Sequence, residues 1–397
     1  MADKAQELEN KYHFQMYGRY PITMEKGKGV RVTDTNGKEY IDALAGIAVN
    51  ALGHSHPKVV KAIQDQAENL IHISNLYYSN PQSELAELIT KASGMDRVFF
   101  CNSGGEAVEG SIKLARKFGH NKGKTGNIIS MKNCFHGRTI ATIALGKEKY
   151  YKGFEPLPGG YENVPFNDLE ALKDIMNEET IGVILEPVQG EGGIHVADHS
   201  YMKGVRELCD QYDALMILDE IQCGVARTGS MYAYQQYGIE PDIVASAKAL
   251  GGGFPIGAVL AKEEVSKAFA PGTHGTTYGG NPLACAASKA ALQTIIDENI
   301  ADQATEKGNY FVEKVRDIAK GWDAIREVRG LGLMIGVDLN FKGSKVVEHM
   351  MDKGVLANCT SDTVIRLVPP LIISKEELDT VIDVLVESIK EVEKDHE

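Results

Sequence analysis

The sequence of 397 residues lacks the features that mark a disulfide scaffold, a membrane protein or a nucleic-acid-binding protein. Its six cysteines form no C-x-x-C pair, which argues against a disulfide framework or structural zinc and favours a reducing compartment. No apolar run approaches the roughly 18 residues that a membrane helix needs. The 42 basic residues are outnumbered by 55 acidic ones, which leaves no basic excess for a nucleic-acid partner.

The N-terminus resembles neither a secretory signal nor a transit peptide, and no repeat, heptad or low-complexity stretch is present. We therefore expect a soluble, cytoplasmic protein with no membrane or nucleic-acid partner, although an anionic small ligand remains possible. Hydrophobic residues at 43% and charged residues at 24% are typical of a globular chain. A chain of this length buries enough surface to build a rigid site.

Short apolar segments alternate with longer amphipathic ones in the centre of the chain. The predicted strands are 97–101, 127–131, 181–185, 214–218 and 243–246, with helices such as 106–118 and 201–212 between them. This alternation predicts an α/β fold with a mostly parallel sheet covered by helices on both faces. Ligands bind such sheets beyond the C-terminal ends of the strands, so we examine the residues that follow each strand.

The pattern changes near both ends of the chain. Residues 28–43 predict a small antiparallel hairpin, and a long helix from about Leu292 leads to strands in 326–339 and 364–367 and a last helix over 375–394. We predict a large domain over residues 56–290. Residues 291–397 form a smaller α+β domain, which the N-terminal segment 1–55 joins.

Two ionisable residues stand at the ends of neighbouring predicted strands. Asp219 ends the strand over 214–218, and Lys248 lies between an apolar segment and the glycines at 251–253. A lysine on a tight backbone approach, with a buried carboxylate nearby, suits a Schiff-base lysine and a pyridinium partner. Taken singly, a surface lysine and a structural aspartate explain the two positions equally well.

The turn Asn102–Glu106 joins a predicted strand to its helix. Backbone amides at such a helix start, with the helix dipole, form a site for phosphate. An ordinary capping box, with Ser103 as N-cap and Glu106 three residues later, is the alternative.

Two further patterns resemble known motifs incompletely. Residues 119–125 (GHNKGKT) lack one residue of a P-loop and follow a helix, which leaves a nucleotide-dependent enzyme as a weak alternative. His54 and His56 suggest a metal site, but no other cluster completes a ligand set, so a hydrogen-bonded turn before a helix at Pro57 is preferred.

Ordered motifs along nearly the whole chain, from about Tyr17 to the last helix, resemble the class III pyridoxal-phosphate aminotransferases, specifically their acetylornithine/ornithine branch. The motifs are NSGGE (102–106), FHGRT (135–139), EPVQGEGG (186–193), LDEIQCG (218–224), AKALGGG (247–253) and HGTTYGGNP (274–282). Mild departures occur at Gly105, Val108 and Thr276. They affect the exact substrate rather than the catalytic roles.

The resemblance implies a fold-type-I transferase with pyridoxal 5'-phosphate as cofactor and no metal. Lys248 would hold the cofactor and move a proton, while Asp219 would pair with the pyridine nitrogen. Gln222 would bond the ring hydroxyl and Phe135 would stack on the ring. The remaining cofactor residues implied are Gly104, Gly105, Glu220, Ile221 and Thr277, with Glu186 supporting Asp219. Gly104 and Gly105 would give amides to the phosphate, and Thr277 would come from the partner subunit of a homodimer.

The resemblance also implies substrate residues. Arg138 would clamp the distal carboxylate, and Arg366 would clamp the carboxylate next to the reacting carbon. Glu191 would neutralise Arg366 while an ω-amine is bound, although separate loop and strand-end charges are the simpler interpretation. Thr276 and Tyr17 complete the expected set.

The function implied is transfer of an ω-amino group to 2-oxoglutarate, with N-acetylornithine as preferred donor, as in arginine biosynthesis. Ornithine, succinylornithine or a 4-aminobutyrate-type donor are the alternatives within the class. A catalytically idle relative would keep the fold, but intact Lys248 and Asp219 argue against it.

Overall fold

The computed structural model describes residues 4–394. The strands are β1 Met24–Lys28, β2 Arg31–Asp34, β3 Glu39–Asp42, β4 Arg97–Cys101, β5 Ile128–Met131, β6 Tyr161–Val164, β7 Gly182–Leu185, β8 Val188–Gln189, β9 His195–Val196, β10 Leu215–Asp219, β11 Ile243–Ser246, β12 Gly257–Ala261, β13 Ile325–Leu331, β14 Met334–Leu339, β15 Val355–Leu356, β16 Asn358–Thr360 and β17 Val364–Leu367.

The helices lie between these strands. They are α1 Lys4–Tyr12, α2 Ala45–Ala48, α3 Pro57–Asn69, α4 Asn80–Ser93, α5 Gly104–Asn121, α6 Ile140–Ala144, α7 Glu148–Tyr151, α8 Leu169–Ile175, α9 His199–Gln211, α10 Tyr234–Tyr237, α11 Glu263–Ser266, α12 Pro282–Asp297, α13 Ile300–Ile318, α14 Ser344–Asp352 and α15 Lys375–Lys394, with a 3₁₀ turn at Lys248–Gly251. None of the helices in the described part of the chain is long and apolar enough to cross a bilayer.

A seven-stranded sheet forms the centre of the molecule, in the order β4-β12-β11-β10-β7-β5-β6. Every strand except β12 runs in the same direction, which confirms the prediction of a mostly parallel sheet. Successive residues of β10 alternate between two apolar cores, with Ile217 in one and Leu218 in the other. Helices cover both faces, as the continuous apolarity of the strands predicts.

The two chain ends meet in smaller sheets. β13, β14, β17 and β16 form one antiparallel sheet, and β15 pairs in parallel with β3 to join the C-terminal third to the N-terminal hairpin. The predicted boundaries near 55 and 290 stay a prediction, and α12 runs across the second of them. Residues 1–3 and 395–397 of the predicted segments lie outside the described residues.

Candidate active site

A cavity of about 370 Å³ opens where the parallel strands of the central sheet end. It is lined by Val49, Asn102, Ser103, Gly104, Gly105, Phe135, His136, Gly137, Glu186, Asp219, Ile221, Gln222, Ala247, Lys248, Gly253, Phe254, Pro255 and Ile256. Residues distant in sequence meet here because each follows a strand of the same sheet. The turn after β4, the strand end at Asp219 and the turn at Lys248 all contribute.

Asp219 presents a buried carboxylate at the end of β10. One oxygen accepts a hydrogen bond from the Ile221 amide at 3.1 Å, and the other lies 2.8 Å from Nδ1 of His136. Burial alone would lower the pKa of His136, but its contacts with Cys134 and Asp219 outweigh burial and raise that pKa well above its usual value. The contact with His136 therefore holds the Asp219 carboxylate in place.

Glu186 adds a second buried carboxylate beneath the same cavity. Its two oxygens accept from the amides of Phe135 and Gly190, each at 3.1 Å. Burial raises the pKa of Glu186 to about 7, with His136 acting in the opposite direction. Glu186 thereby fixes the loop that carries Phe135 to the loop that leads to Glu191.

Lys248 begins the 3₁₀ turn with φ at +49°, in the left-handed region that a residue with a side chain rarely adopts. Strain of this kind concentrates at functional sites, where surrounding packing over-determines the backbone. Among residues 4–394, its amine has no hydrogen-bond or ion-pair partner. The pKa of Lys248 is lowered mainly by burial and secondly by the positive charge of Arg366. A lowered pKa favours the neutral, nucleophilic amine.

The helix α5 points its N-terminus into the cavity. Ser103 caps it by accepting from the Glu106 amide at 3.2 Å, while the Glu106 carboxylate accepts from the Asn102 amide. A Cβ atom at Gly104 would lie 2.9 Å from Cδ1 of Ile221, whereas one at Gly105 would meet nothing closer than 3.9 Å. The amides of both glycines have no acceptor within the described chain. Cap and free amides coexist, so the two interpretations of this turn are compatible.

Arg366, on β17, lies almost completely buried, with 1% of its surface exposed. Its guanidinium forms an ion pair with Glu191 and donates to Gln222 Oε1 at 3.2 Å and Asn358 Oδ1 at 3.1 Å. The predicted partners of opposite charge are therefore in contact. The same cluster includes Gln222, which lines the cavity beside Lys248.

The backbone of Glu191 is held independently of its side chain. Its carbonyl accepts from Thr360 Oγ1 at 2.9 Å, Lys147 Nζ at 3.3 Å and Ser361 Oγ at 3.4 Å. These donors come from two separate parts of the chain, the end of β16 and the start of α7. We call them the Glu191 anchor.

Comparison with known proteins decides the family. The sequence model described as "Aminotransferase class-III" matches residues 14–389. The chain belongs to the class-III aminotransferases. An acetylornithine aminotransferase from Methanocaldococcus jannaschii is 55% identical over 391 residues, which are 98% of each chain.

Solved structures extend the similarity to the whole aminotransferase fold. An acetylornithine aminotransferase from Elizabethkingia anophelis superposes with a TM-score of 0.89 at 36% identity, over 98% of each chain. An ornithine aminotransferase from Toxoplasma gondii, with pyridoxal phosphate at partial occupancy in its active site, gives 0.95 at 34%, over 100% of this chain and 96% of that one. These similarities confirm the fold-type-I prediction, and the class is one that depends on pyridoxal phosphate.

Some residues expected in the aminotransferase site lie elsewhere in this single chain. Glu220 turns away from the cavity, because its carboxylate accepts from the amides of Ala233 and Tyr234, each at 2.9 Å. Tyr17 is exposed and packs against Arg19, on the N-terminal segment. Thr277 is exposed, while Thr276 accepts from Asn102 Nδ2 at 3.2 Å beside the α5 start.

Arg138 and Phe135 meet a residue that the sequence analysis missed. The Arg138 guanidinium lies 4.2 Å from the ring centroid of Tyr150 and 5.5 Å from that of Phe135. The two rings contact each other edge to face, with centroids 5.5 Å apart. His136, which contacts Asp219, is a second functional residue to which the sequence motif assigns no role. The signal in the sequence was its position, because His136 directly follows Phe135, the residue expected to stack on the cofactor ring.

The cavity fits pyridoxal phosphate on the evidence of its own groups. The unpaired Lys248 amine, the Asp219 carboxylate and the two acceptor-free glycine amides match the aldehyde, the pyridine nitrogen and the phosphate of that cofactor. Phe135 also lines the cavity and could stack on the face of the cofactor ring. An aminotransferase needs each of these functions.

Proposed function

We propose that this aminotransferase moves the ω-amino group of N-acetylornithine to 2-oxoglutarate, giving N-acetylglutamate 5-semialdehyde and glutamate, with pyridoxal phosphate as cofactor. The observation that carries the proposal is the ion pair of Arg366 with Glu191 beside Lys248. An ω-amine has no carboxylate on its reacting carbon, so the arginine that binds one must be neutralised while the donor reacts. The 55% identity to the M. jannaschii enzyme supports N-acetylornithine over other ω-amines.

Each residue then has a defined task. Lys248 would hold the cofactor covalently and move the proton at the reacting carbon, and its depressed pKa suits that exchange. Asp219 would hold the proton of the pyridine nitrogen, while Gly104 and Gly105 would hold the phosphate and Phe135 the ring face. When bound, pyridoxal phosphate supplies an electron sink that makes the proton of the amine-bearing carbon acidic. Gln222 retains an amide group for the ring hydroxyl, because Arg366 uses its oxygen.

The two half-reactions place opposite demands on the pocket. N-acetylornithine presents its carboxylate far from the reacting amine, whereas glutamate presents one carboxylate nearby and one far away. Arg138 would bind the distal carboxylate of both substrates. Glu191 would pair with Arg366 for the donor and leave it for glutamate or 2-oxoglutarate, whose carboxylate can form the same bidentate contact.

Separate half-reaction kinetics test this exchange. Arg366→Ala should weaken mainly the 2-oxoglutarate half-reaction, by roughly 30- to 4,000-fold, because losing a desolvated arginine–carboxylate pair costs about 2–5 kcal/mol. Glu191→Ala should favour glutamate and permit attack by the α-amine of ornithine, because Arg366 is then always open. Glu327→Ala, which removes an arginine partner away from the cavity, is the matched control. The exchange is contradicted if Arg366→Ala slows both half-reactions equally and Glu191→Ala leaves the donor preference unchanged.

A donor panel with 2-oxoglutarate as acceptor tests the function itself. We expect the highest kcat/KM for N-acetylornithine among N-acetylornithine, ornithine, succinylornithine and 4-aminobutyrate, measured by glutamate formation. Purified protein should be yellow from the cofactor held on Lys248. Preference for ornithine would instead favour the activity named for the T. gondii structure, which is 34% identical. Activity with none of the four donors rejects the proposal.

We infer that the enzyme works as a homodimer with shared sites. The segments that contain Asn75 and Thr277 meet, because Asn75 Nδ2 donates to the Thr276 carbonyl at 3.3 Å. Large apolar side chains are exposed on both segments, namely Leu76 at 86%, Tyr78 at 102% and Tyr278 at 61% exposure. A group of exposed large apolar side chains of this kind supports an interface between proteins at this position. The exposed Thr277 of one subunit would then complete the phosphate site of its partner.

Mixed dimers test whether Thr277 acts across the interface. Combining Lys248→Ala with Thr277→Ala subunits should produce hybrids in which one site carries both lesions and the other carries neither. Activity should then exceed that of either mutant homodimer. Absence of recovery, with subunit exchange shown by mass spectrometry, would mean that each subunit builds its own phosphate site.

The cellular setting follows from the same chemistry. We infer a cytoplasmic enzyme of arginine biosynthesis that handles small molecules and binds neither membrane nor nucleic acid. All six cysteines are unpaired thiols, which supports a reducing compartment.

A further inference from the structure

The Arg138 guanidinium differs from Arg366 in what surrounds it. The Arg366 guanidinium donates hydrogen bonds to Glu191, Gln222 and Asn358. Arg138, by contrast, has no hydrogen-bond or ion-pair partner anywhere in residues 4–394, and it is an exposed residue that directly follows the cavity-lining Gly137. Within the described part of the chain, its guanidinium lies over two aromatic rings, those of Tyr150 and Phe135.

Tyr150 is the closer of these rings. The guanidinium carbon lies 4.2 Å from its centroid, well inside the roughly 6 Å at which a cation is attracted to a ring face. Phe135 meets Tyr150 edge to face at an interplanar angle of 82°, which fixes the Tyr150 ring in turn. The backbone of Tyr150 is fixed as well, since its amide donates to the Lys147 carbonyl at 2.9 Å.

A ring positions an arginine in a way that a carboxylate cannot. A carboxylate partner would occupy the N–H donors and would have to be displaced by each incoming substrate. A ring face attracts the cation without accepting those N–H groups in its plane, so the five donors stay available. This difference suits an arginine that binds a carboxylate in both half-reactions.

We propose that Tyr150 is the positioning residue for Arg138, holding the guanidinium over its ring so that the N–H donors stay directed at the distal carboxylate of either substrate. The proposal rests on the role of Arg138 given under Proposed function. It adds a residue of α7 to the determinants of substrate affinity. Among residues 4–394 no hydrogen bond joins the Tyr150 phenol oxygen to Arg138, so the positioning role belongs to the ring.

Steady-state kinetics on a matched pair of variants provide the test. Tyr150→Leu removes the ring, and Tyr151→Leu removes the neighbouring tyrosine of the same short helix, which has no ring contact with Arg138. For Tyr150→Leu we expect KM to rise for both N-acetylornithine and 2-oxoglutarate, by about threefold to thirtyfold, with kcat little changed. Tyr151→Leu and Tyr150→Phe should keep both KM values. Tyr150→Gln, measured in parallel, should reproduce the effect of Tyr150→Leu.

Two further measurements separate positioning from a general structural role. With 1,5-diaminopentane, a donor without a carboxylate, Tyr150→Leu should leave kcat/KM unchanged. The affinity of the apoenzyme for pyridoxal phosphate should also stay unchanged, because Phe135 remains. In an Arg138→Ala background, adding Tyr150→Leu should have no further effect on KM, as expected for residues that act as one unit.

The outcomes separate the role of Tyr150 from the role of Arg138 on which it depends. If Arg138→Ala leaves both KM values unchanged, Arg138 is not the distal clamp, and both claims fail together. If Arg138→Ala raises them but Tyr150→Leu and Tyr150→Gln do not, only the positioning role of Tyr150 is overturned. Additive effects in the double variant, or equal loss with the diamine, also overturn it.

Discussion

Replacing Lys248 by alanine is expected to abolish turnover while pyridoxal phosphate still binds. The substitution removes both the covalent attachment and the group that moves the proton, whereas Asp219, Phe135 and the glycine amides remain in place. Losing a nucleophile together with a general acid–base group should lower kcat by about 10³-fold or more. Turnover at saturating substrates and retention of cofactor after desalting measure the two effects.

Controls for this variant separate chemistry from charge. Lys248→Arg keeps a cation but offers no amine that can attack an aldehyde, so it should be as inactive as Lys248→Ala. Lys149→Ala removes an exposed lysine and should leave turnover unchanged. A small primary amine added to Lys248→Ala should restore part of the rate. Turnover within tenfold of the unaltered enzyme would reject the assignment of Lys248.

The second large effect is expected for Asp219→Asn. Asparagine keeps the shape and can still accept from the Ile221 amide, but it removes the negative charge facing the cavity. We expect kcat to fall by about 10²- to 10³-fold, because a fixed charge that stabilises the transition state is lost. Cofactor affinity should fall less, since the phosphate and ring contacts persist.

Asp242→Asn is the matched control for a buried aspartate. Asp242 pairs with Arg206 at 2.7 Å and Lys262 at 2.9 Å, away from the cavity. Its substitution should lower the melting temperature while kcat at moderate temperature is maintained. Near-normal kcat of Asp219→Asn with saturating cofactor would show that Asp219, like Asp242, is structural.

Much of the fold could be predicted from local patterns. The continuous apolarity of β5, β7, β10 and β11 identifies them as central parallel strands, and the structure confirms them. The antiparallel strand β12 was not among the predicted strands, and its short sequence, GAVLA, would in any case carry no signal of direction. Direction depends on the length and path of the connection, which only the assembled chain defines.

The sequence could predict the parts of the site in which an ionisable residue stands at or just after the end of a strand, as Asp219 and Lys248 do. Glu220 follows Asp219 directly, and adjacent side chains of an extended chain point to opposite sides. The Glu220 carboxylate therefore faces away from the cavity and accepts hydrogen bonds from the Ala233 and Tyr234 amides. Tyr150 could not be found, because it lies 12 residues from Arg138 across a turn and a helix. Such a contact exists only after both segments have packed.

The Glu191 anchor also bears on how fast the pocket can alternate between donor and acceptor. With the carbonyl tied to Thr360, Lys147 and Ser361, the proposed release of Arg366 would require the ion pair to break and the Glu191 side chain to rotate, but no movement of the Glu191 backbone. Rotations of exposed side chains take roughly picoseconds to nanoseconds, whereas collective domain movements take microseconds to milliseconds. Turnover of typical enzymes, at about 10 per second, is far slower than such a rotation. The proposed exchange of substrates would therefore be governed by the equilibrium between the paired and released positions of Glu191 rather than by the rate of a domain movement.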